Sequence, residues 1–234
     1  MKRTLILSIA TLALVAVSPA TAQTATTRTT GSTATNAGAP TSAEPSIIIL
    51  IQKPTYPFTV DLATGKALPT KPIEYVTKGR LFRLGEETSK AIVDANFDAF
   101  QKKIEDEVKK QQKPTYPLTT SALSGKPLGD KPVEKVYGTK LVLLAEIGEV
   151  PAFDADPTVT IRKLNDAYIA MQLPTYPYKK DPVTKEDLAT FTAAGKTPVK
   201  YLWGNKLILF TSANSVSEFE KSPETYLATL ETLK

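Results

Sequence analysis

The hexapeptide Gln52-Lys53-Pro54-Thr55-Tyr56-Pro57 returns unchanged as Gln112-Lys113-Pro114-Thr115-Tyr116-Pro117, and once more as Gln172-Leu173-Pro174-Thr175-Tyr176-Pro177, at a spacing of 60 residues. Self-similarity at a fixed period is the signature of a chain built from copies of one supersecondary unit. Most of this sequence must therefore be explained as three small units rather than one large fold. Each copy continues with a polar turn, a Lys-Pro or Thr-Pro step, and two short apolar stretches around a glycine-containing turn. Those pairs, residues 72–76 with 80–84, 133–137 with 140–144 and 199–203 with 206–210, read as β-hairpins. A helical period follows each one: Val93, Phe97, Phe100, Ile104 and Val108, then Ile161, Leu164, Tyr168 and Met171, then Tyr226, Leu227, Leu230 and Leu233. Asp156-Pro157 and Ser222-Pro223 place a capping side chain ahead of a proline that suits a first helical turn. The fold class expected is α+β, in three tandem repeats over 47–110, 111–170 and 171–234, each a short hairpin followed by a C-terminal helix.

The first 46 residues do not share this pattern. Lys2 and Arg3 precede an apolar run from Leu5 to Val17, and Ala20-Thr21-Ala22 supplies a small-residue cleavage site, so residues 1–22 read as a bacterial export signal. The run is too short for the roughly 20 apolar residues of a spanning helix. The mature protein is then periplasmic or secreted, with no integral membrane segment. Residues 23–46 are rich in Thr, Ala, Ser and Gly, with only Arg28 and Glu44 charged. Such a stretch buries too little apolar surface to offset the entropy of ordering, and it reads as a disordered linker.

Composition narrows the chemistry. The chain has no Cys and no His, which excludes disulfides, thiolate- or imidazole-bound zinc and copper, a Ser-His-Asp triad and a Cys-His dyad. The formal charge of +5 falls by two when the leader takes Lys2 and Arg3 with it, and a balance that mild calls for neither nucleic acid nor an anionic membrane. Lys102, Lys103, Lys109 and Lys110 are interleaved with Glu105, Asp106 and Glu107, as on a solvated helix face. Gly195-Lys196-Thr197 ends like a phosphate loop but lacks the earlier glycine.

The unit resembles a known family. A Tyr-Pro segment, a turn ending in Gly, a hairpin of the form Val-x-Tyr-x-x-Gly-x-x-x-x-Phe and then Phe-x-x-(Asp/Ser)-Pro-x-x-Tyr-Leu is similar to the YHS domain, a small treble-clef-like metal-binding module related to TRASH domains. The third copy carries the pattern most fully, through Val199, Tyr201, Gly204, Phe210, Phe219, Ser222, Pro223, Tyr226 and Leu227. The second keeps Phe153, Asp156 and Pro157, and the first has Asn96-Phe97 in place of the Asp-Pro or Ser-Pro step.

The resemblance implies metal cysteines on the turn after Tyr-Pro and just after the second strand. Those positions hold Asp61, Ser121 and Asp181, and then Gly85, Glu86 and Ser89, Ala145, Glu146 and Glu149, and Thr211, Ser212 and Ser215. All expected cysteines are replaced, so no soft-metal site and no cofactor is carried over. In one reading Asp61 with Glu86, or Glu146 with Glu149, holds a hard cation such as calcium, which requires about six to eight converging oxygens. In the other, these polar residues fill solvent-facing turns. Tyr56, Tyr116 and Tyr176 either pack on their own hairpins or, with Trp203 at a hairpin tip, present aromatic contact points. The function expected is that of an exported, non-enzymatic binding or structural protein with a protein or cell-envelope partner. The alternatives are a divalent-cation binder and a hydrolase working through two carboxylates.

Overall fold

The structure, a computed structural model, describes residues 45–234; the expected export signal and all but the last two residues of the expected linker lie outside the described residues. The chain begins with α1 (Pro45–Gln52), followed by β1 (Ile73–Thr77), β2 (Arg80–Leu84), α2 (Ser89–Ala95) and α3 (Phe97–Gln112). Next come β3 (Val133–Tyr137), β4 (Lys140–Leu144), α4 (Val150–Ala155) and α5 (Thr158–Gln172). The last part comprises α6 (Leu188–Ala193), β5 (Val199–Trp203), β6 (Lys206–Phe210), α7 (Ala213–Lys221) and α8 (Pro223–Leu230). A 3-10 turn over Lys53–Thr55, Lys113–Thr115 and Leu173–Thr175 follows α1, α3 and α5, where proline stops each helix. The fold is thus a mixture of helices and three two-stranded antiparallel sheets.

Each sheet is a hairpin closed by two residues, with end pairs Ile73 to Leu84, Val133 to Leu144 and Val199 to Phe210. Turns this tight need a left-handed residue to match the strand twist. Lys78 and Gly79 both adopt positive φ in the first hairpin, while Gly138 and Gly204 supply it in the other two.

The second strand of each later hairpin is buried on both faces, because it alternates between two cores. Val142 and Leu144 pack with Phe153, Leu164 and Tyr168, whereas Leu141 and Leu143 join Phe82, Phe97, Phe100, Ile104 and Val108. The apolar face of α3 is therefore shared by the first hairpin and the second. In β6, Ile208 and Phe210 pack with Trp203 and Phe219, and Leu207 and Leu209 pack with Leu188, Ile169 and Tyr176. The three hairpins share cores instead of folding as separate beads, and this compensates for the small surface that a 60-residue unit can bury by itself.

Leu50–Thr55 touches all three hairpins. Leu50 packs against the core containing Trp203, and the Gln52 carbonyl accepts from the Thr139 hydroxyl at 2.8 Å. The hydroxyls of Thr55 and Thr139 are 2.6 Å apart. Pro54 and Thr55 press against Gly204. Lys53 pairs with Glu74 of β1 at 2.7 Å and also with Glu224 of α8.

Several sequence expectations need correction. The first helical period is two helices: the chain breaks at Asn96 (φ −122°, ψ 26°), whose side-chain amide donates to the Ile92 carbonyl. Asp156 Oδ1 accepts from the Thr158 amide at 2.9 Å, but Ser222 makes no side-chain capping bond. The third period is broken as well, with α8 ending at Leu230 and a 3-10 turn carrying Leu233. Two helices, not one, follow each hairpin, so α4 and α7 are additions to the expected pattern, as is α6; α1 starts two residues inside the expected linker.

Candidate functional site

The hexapeptide acts through its glutamine. Gln52 Nε2 donates to the Gly79 carbonyl at 2.9 Å, and its Oε1 accepts from the Leu81 amide at 3.0 Å. Gln112 reads Thr139 and Leu141 in the same way at 2.8 and 2.9 Å, and Gln172 reads Asn205 and Leu207 at 2.7 and 3.0 Å. A primary amide is donor and acceptor at once, so it can saturate both backbone groups that a tight turn leaves open. The tyrosine of the same hexapeptide accepts from the middle of the second strand, Tyr116 Oη from the Leu143 amide at 3.0 Å and Tyr176 Oη from the Leu209 amide at 2.9 Å. The Tyr56 hydroxyl is buried beside the equivalent Arg83 amide without a well-formed hydrogen bond. Burial pushes the Tyr56 and Tyr176 phenols up to about 12. These rings therefore brace their own hairpins. Trp203 is likewise buried, edge-on to Phe219 with centroids 5.4 Å apart, so it offers no exposed contact at the tip.

Of the positions where the resemblance places cysteines, the three on the turn and Ser89, Glu149 and Ser215 are buried, whereas Gly85, Glu86 and Glu146 are exposed. Asp61, Ser121 and Asp181 are 0%, 1% and 0% exposed. Asp61 Oδ1 accepts from the Ala63 amide at 2.8 Å, while Oδ2 accepts from the Gly85 amide at 2.8 Å and the Ser89 hydroxyl at 2.7 Å. Asp181 Oδ1 takes the amides of Val183 and Thr184, and its Oδ2 takes the Thr211 amide at 2.7 Å and hydroxyl at 3.0 Å.

In the second segment the acid and the hydroxyl have changed places. Ser121 occupies the turn and donates to Glu149 Oε2 at 2.7 Å, and the same oxygen accepts from the Ala145 amide at 3.0 Å. The Ser124 hydroxyl donates to the other oxygen of Glu149. In each case one carboxylate ties the turn after Tyr-Pro to the exit of the second strand. Burial pushes the Asp61, Asp181 and Glu149 carboxyls up, but the amide and hydroxyl donors outweigh it and hold all three below the usual carboxylate range.

The remaining cation candidates do not converge with these. Glu86 is exposed, and Glu146 is exposed and paired with Lys126 at 2.5 Å. Glu87 pairs with Lys90 at 2.6 Å. Among the described residues no three carboxylates cluster as a cation set, and no helix is long and apolar enough to cross a membrane. A shallow, open concavity is lined by Lys109, Lys110, Lys113, Pro114 and Glu134.

The glutamine reads were missed from sequence, although the signal was present in the three copies of Gln ahead of Pro-Thr-Tyr-Pro. The exchange of Asp61–Ser89 for Ser121–Glu149 was also in view, in residues aligned but not paired with one another. The chain matches no protein-family model, no curated protein and no solved structure.

Proposed function

We propose that this chain is an exported, non-enzymatic binding or structural protein. In this reading it consists of three tandem YHS-like repeats in which a buried carboxylate clamp has taken over the structural work of a metal. The observation that carries the reading is the saturation of Asp61, Asp181 and Glu149: their oxygens already receive amide and hydroxyl donors, and an arriving cation would have to displace them. A hydrogen-bonded carboxylate can join two backbone segments much as a metal does, and each such charge-assisted bond contributes about 1.5–3 kcal/mol. The shared cores leave the outer surface, not an internal cleft, to meet a partner.

The test is thermal melting of the mature protein after dialysis against chelator, then with millimolar calcium or zinc, together with elemental analysis. The expected result is one unchanged transition and no stoichiometric ion. An ion retained at one or more per chain, or a rise of several degrees on adding calcium, would replace this reading with that of a divalent-cation binder. N-terminal sequencing of exported protein beginning at Gln23 tests the periplasmic or secreted location.

A further inference from the structure

The second strand of each hairpin opens with a basic residue: Arg80, Lys140 and Lys206. Arg80 donates to the Gly138 carbonyl at the next hairpin's tip and pairs with Glu105 of α3 at 3.0 Å. Lys206 lies 3.9 Å from Glu231. Lys140 repeats the geometry of Arg80, reaching the Gly204 carbonyl of the next tip at 3.3 Å and the following helix α5. The helix residue, however, is Asn165, whose neutral Oδ1 stands 2.5 Å from Nζ. The face of Tyr168 completes the surroundings, its centroid 5.7 Å away.

Lys140 is thus a partly buried amine at an interface between hairpins, with two neutral acceptors, an aromatic face and no counter-ion. Burial alone pushes it down to about 8. On α5 the titratable neighbour is Tyr168, itself pushed up to about 12 by burial and so uncharged. The third hairpin offers the Gly204 carbonyl there, and on the side of the first hairpin the Arg80 guanidinium is already paired with Glu105.

We propose that Lys140 is a nucleophilic lysine, the lysine among the described residues that acyl electrophiles such as thioesters, acyl phosphates and activated esters modify first. The Nζ lone pair attacks the acyl carbon. The bond from that carbon to its leaving group breaks, the leaving group departs with the electron pair, and the proton on nitrogen passes to water. The product is a neutral amide whose remaining N–H can still donate to Asn165 or Gly204, so acylation removes the unpaired charge from the interface.

At pH 7.5 about a quarter of Lys140 is the free amine, against roughly a thousandth of an ordinary lysine, a ~200-fold advantage. Lower basicity reduces nucleophilicity by about tenfold, taking the slope known for thiolates as a guide, which leaves about 20-fold. Lys102 and Lys126 are the comparators, because Asp106 and Glu146 raise them above the usual lysine value.

The full chain is treated with limiting N-acetoxysuccinimide, and site occupancy is read by peptide mass spectrometry from pH 6.5 to 10. Lys140 is expected to react at least tenfold faster than Lys102 and Lys126 at pH 7.5, with a rate that levels off near pH 8 while theirs keep climbing. Asn165→Asp, which sets a carboxylate where Glu105 stands beside Arg80, is expected to slow Lys140 at least tenfold and leave the comparators unchanged. Equal rates at the three lysines, a Lys140 rate that does not level off, or indifference to Asn165→Asp would overturn the proposal.

Discussion

Substituting Gly204 tests whether the N-terminal segment truly locks against the third hairpin. Gly204 has φ +65°, and a Cβ built there would lie 2.8 Å from Thr55 Cγ2, 3.0 Å from Pro54 Cβ and 3.2 Å from the Pro54 carbonyl carbon. Gly204→Ala carries two penalties, a left-handed alanine at about 1–2 kcal/mol and overpacking at about 1–3 kcal/mol. Gly129→Ala carries only the first, since Gly129 has φ +58° and nothing within 4 Å of the added carbon. Urea and thermal melts followed by circular dichroism should therefore show Gly204→Ala less stable than Gly129→Ala by at least 1 kcal/mol, an extra fall in Tm of about 2–4 °C per kcal/mol. Thr55→Ser removes the offending methyl but keeps the hydroxyl that meets Thr139, so it should recover much of the difference in a double-mutant cycle. Equal losses at the two glycines, with no rescue by Thr55→Ser, would refute the close approach.

Three further outcomes follow from the same geometry. Asp61→Ser and Ser89→Glu should each destabilise alone, while the double variant, which copies Ser121–Glu149, should recover at least about 1 kcal/mol of coupling in a thermodynamic cycle; strict additivity would show that the clamp is not one unit. Lys140→Met should raise stability by up to about 3 kcal/mol at pH 6–7. The sign follows from a folded pKa of about 8, below the usual lysine value of 10.5: burying the ammonium is costly below pH 8, and the cost fades as pH rises towards 10.5. The advantage of the variant in denaturant melts should therefore vanish across that window. Gln112→Ala strands the Thr139 carbonyl and the Leu141 amide, so it should lose about 2–4 kcal/mol and accelerate hydrogen exchange at Leu141 well before that at Leu81.

The sequence was most legible where local chemistry decides the outcome. Short apolar stretches around the Gly-containing turns placed the strands within one residue of β1 to β6, because a two-residue turn leaves the register little freedom. Long-range compensation was harder to read. Asp61 and Ser89 are 28 residues apart, and nothing local says that one buries its charge against the other. Polar residue types at turn positions suggested solvent, whereas the backbone amides made burial affordable. Trp203 looked available at a hairpin tip because the ring of Phe219 that covers it comes from a separate helix. The run Ile47 to Ile51 fell at the edge of a Thr- and Ser-rich stretch, and the packing of its Leu50 against the core of the third hairpin depends on contacts that no window of sequence contains.

The reach of Leu50–Thr55 to all three hairpins closes the arrangement. An open-ended array can gain or lose modules at either end, because each one needs only its neighbour. Here the earliest-made stretch of the described chain finds its last partners in the final hairpin, so a product truncated after the second would keep an unsealed seam along Leu50, Pro54 and Thr55. A fourth hairpin spliced in would push that seam apart.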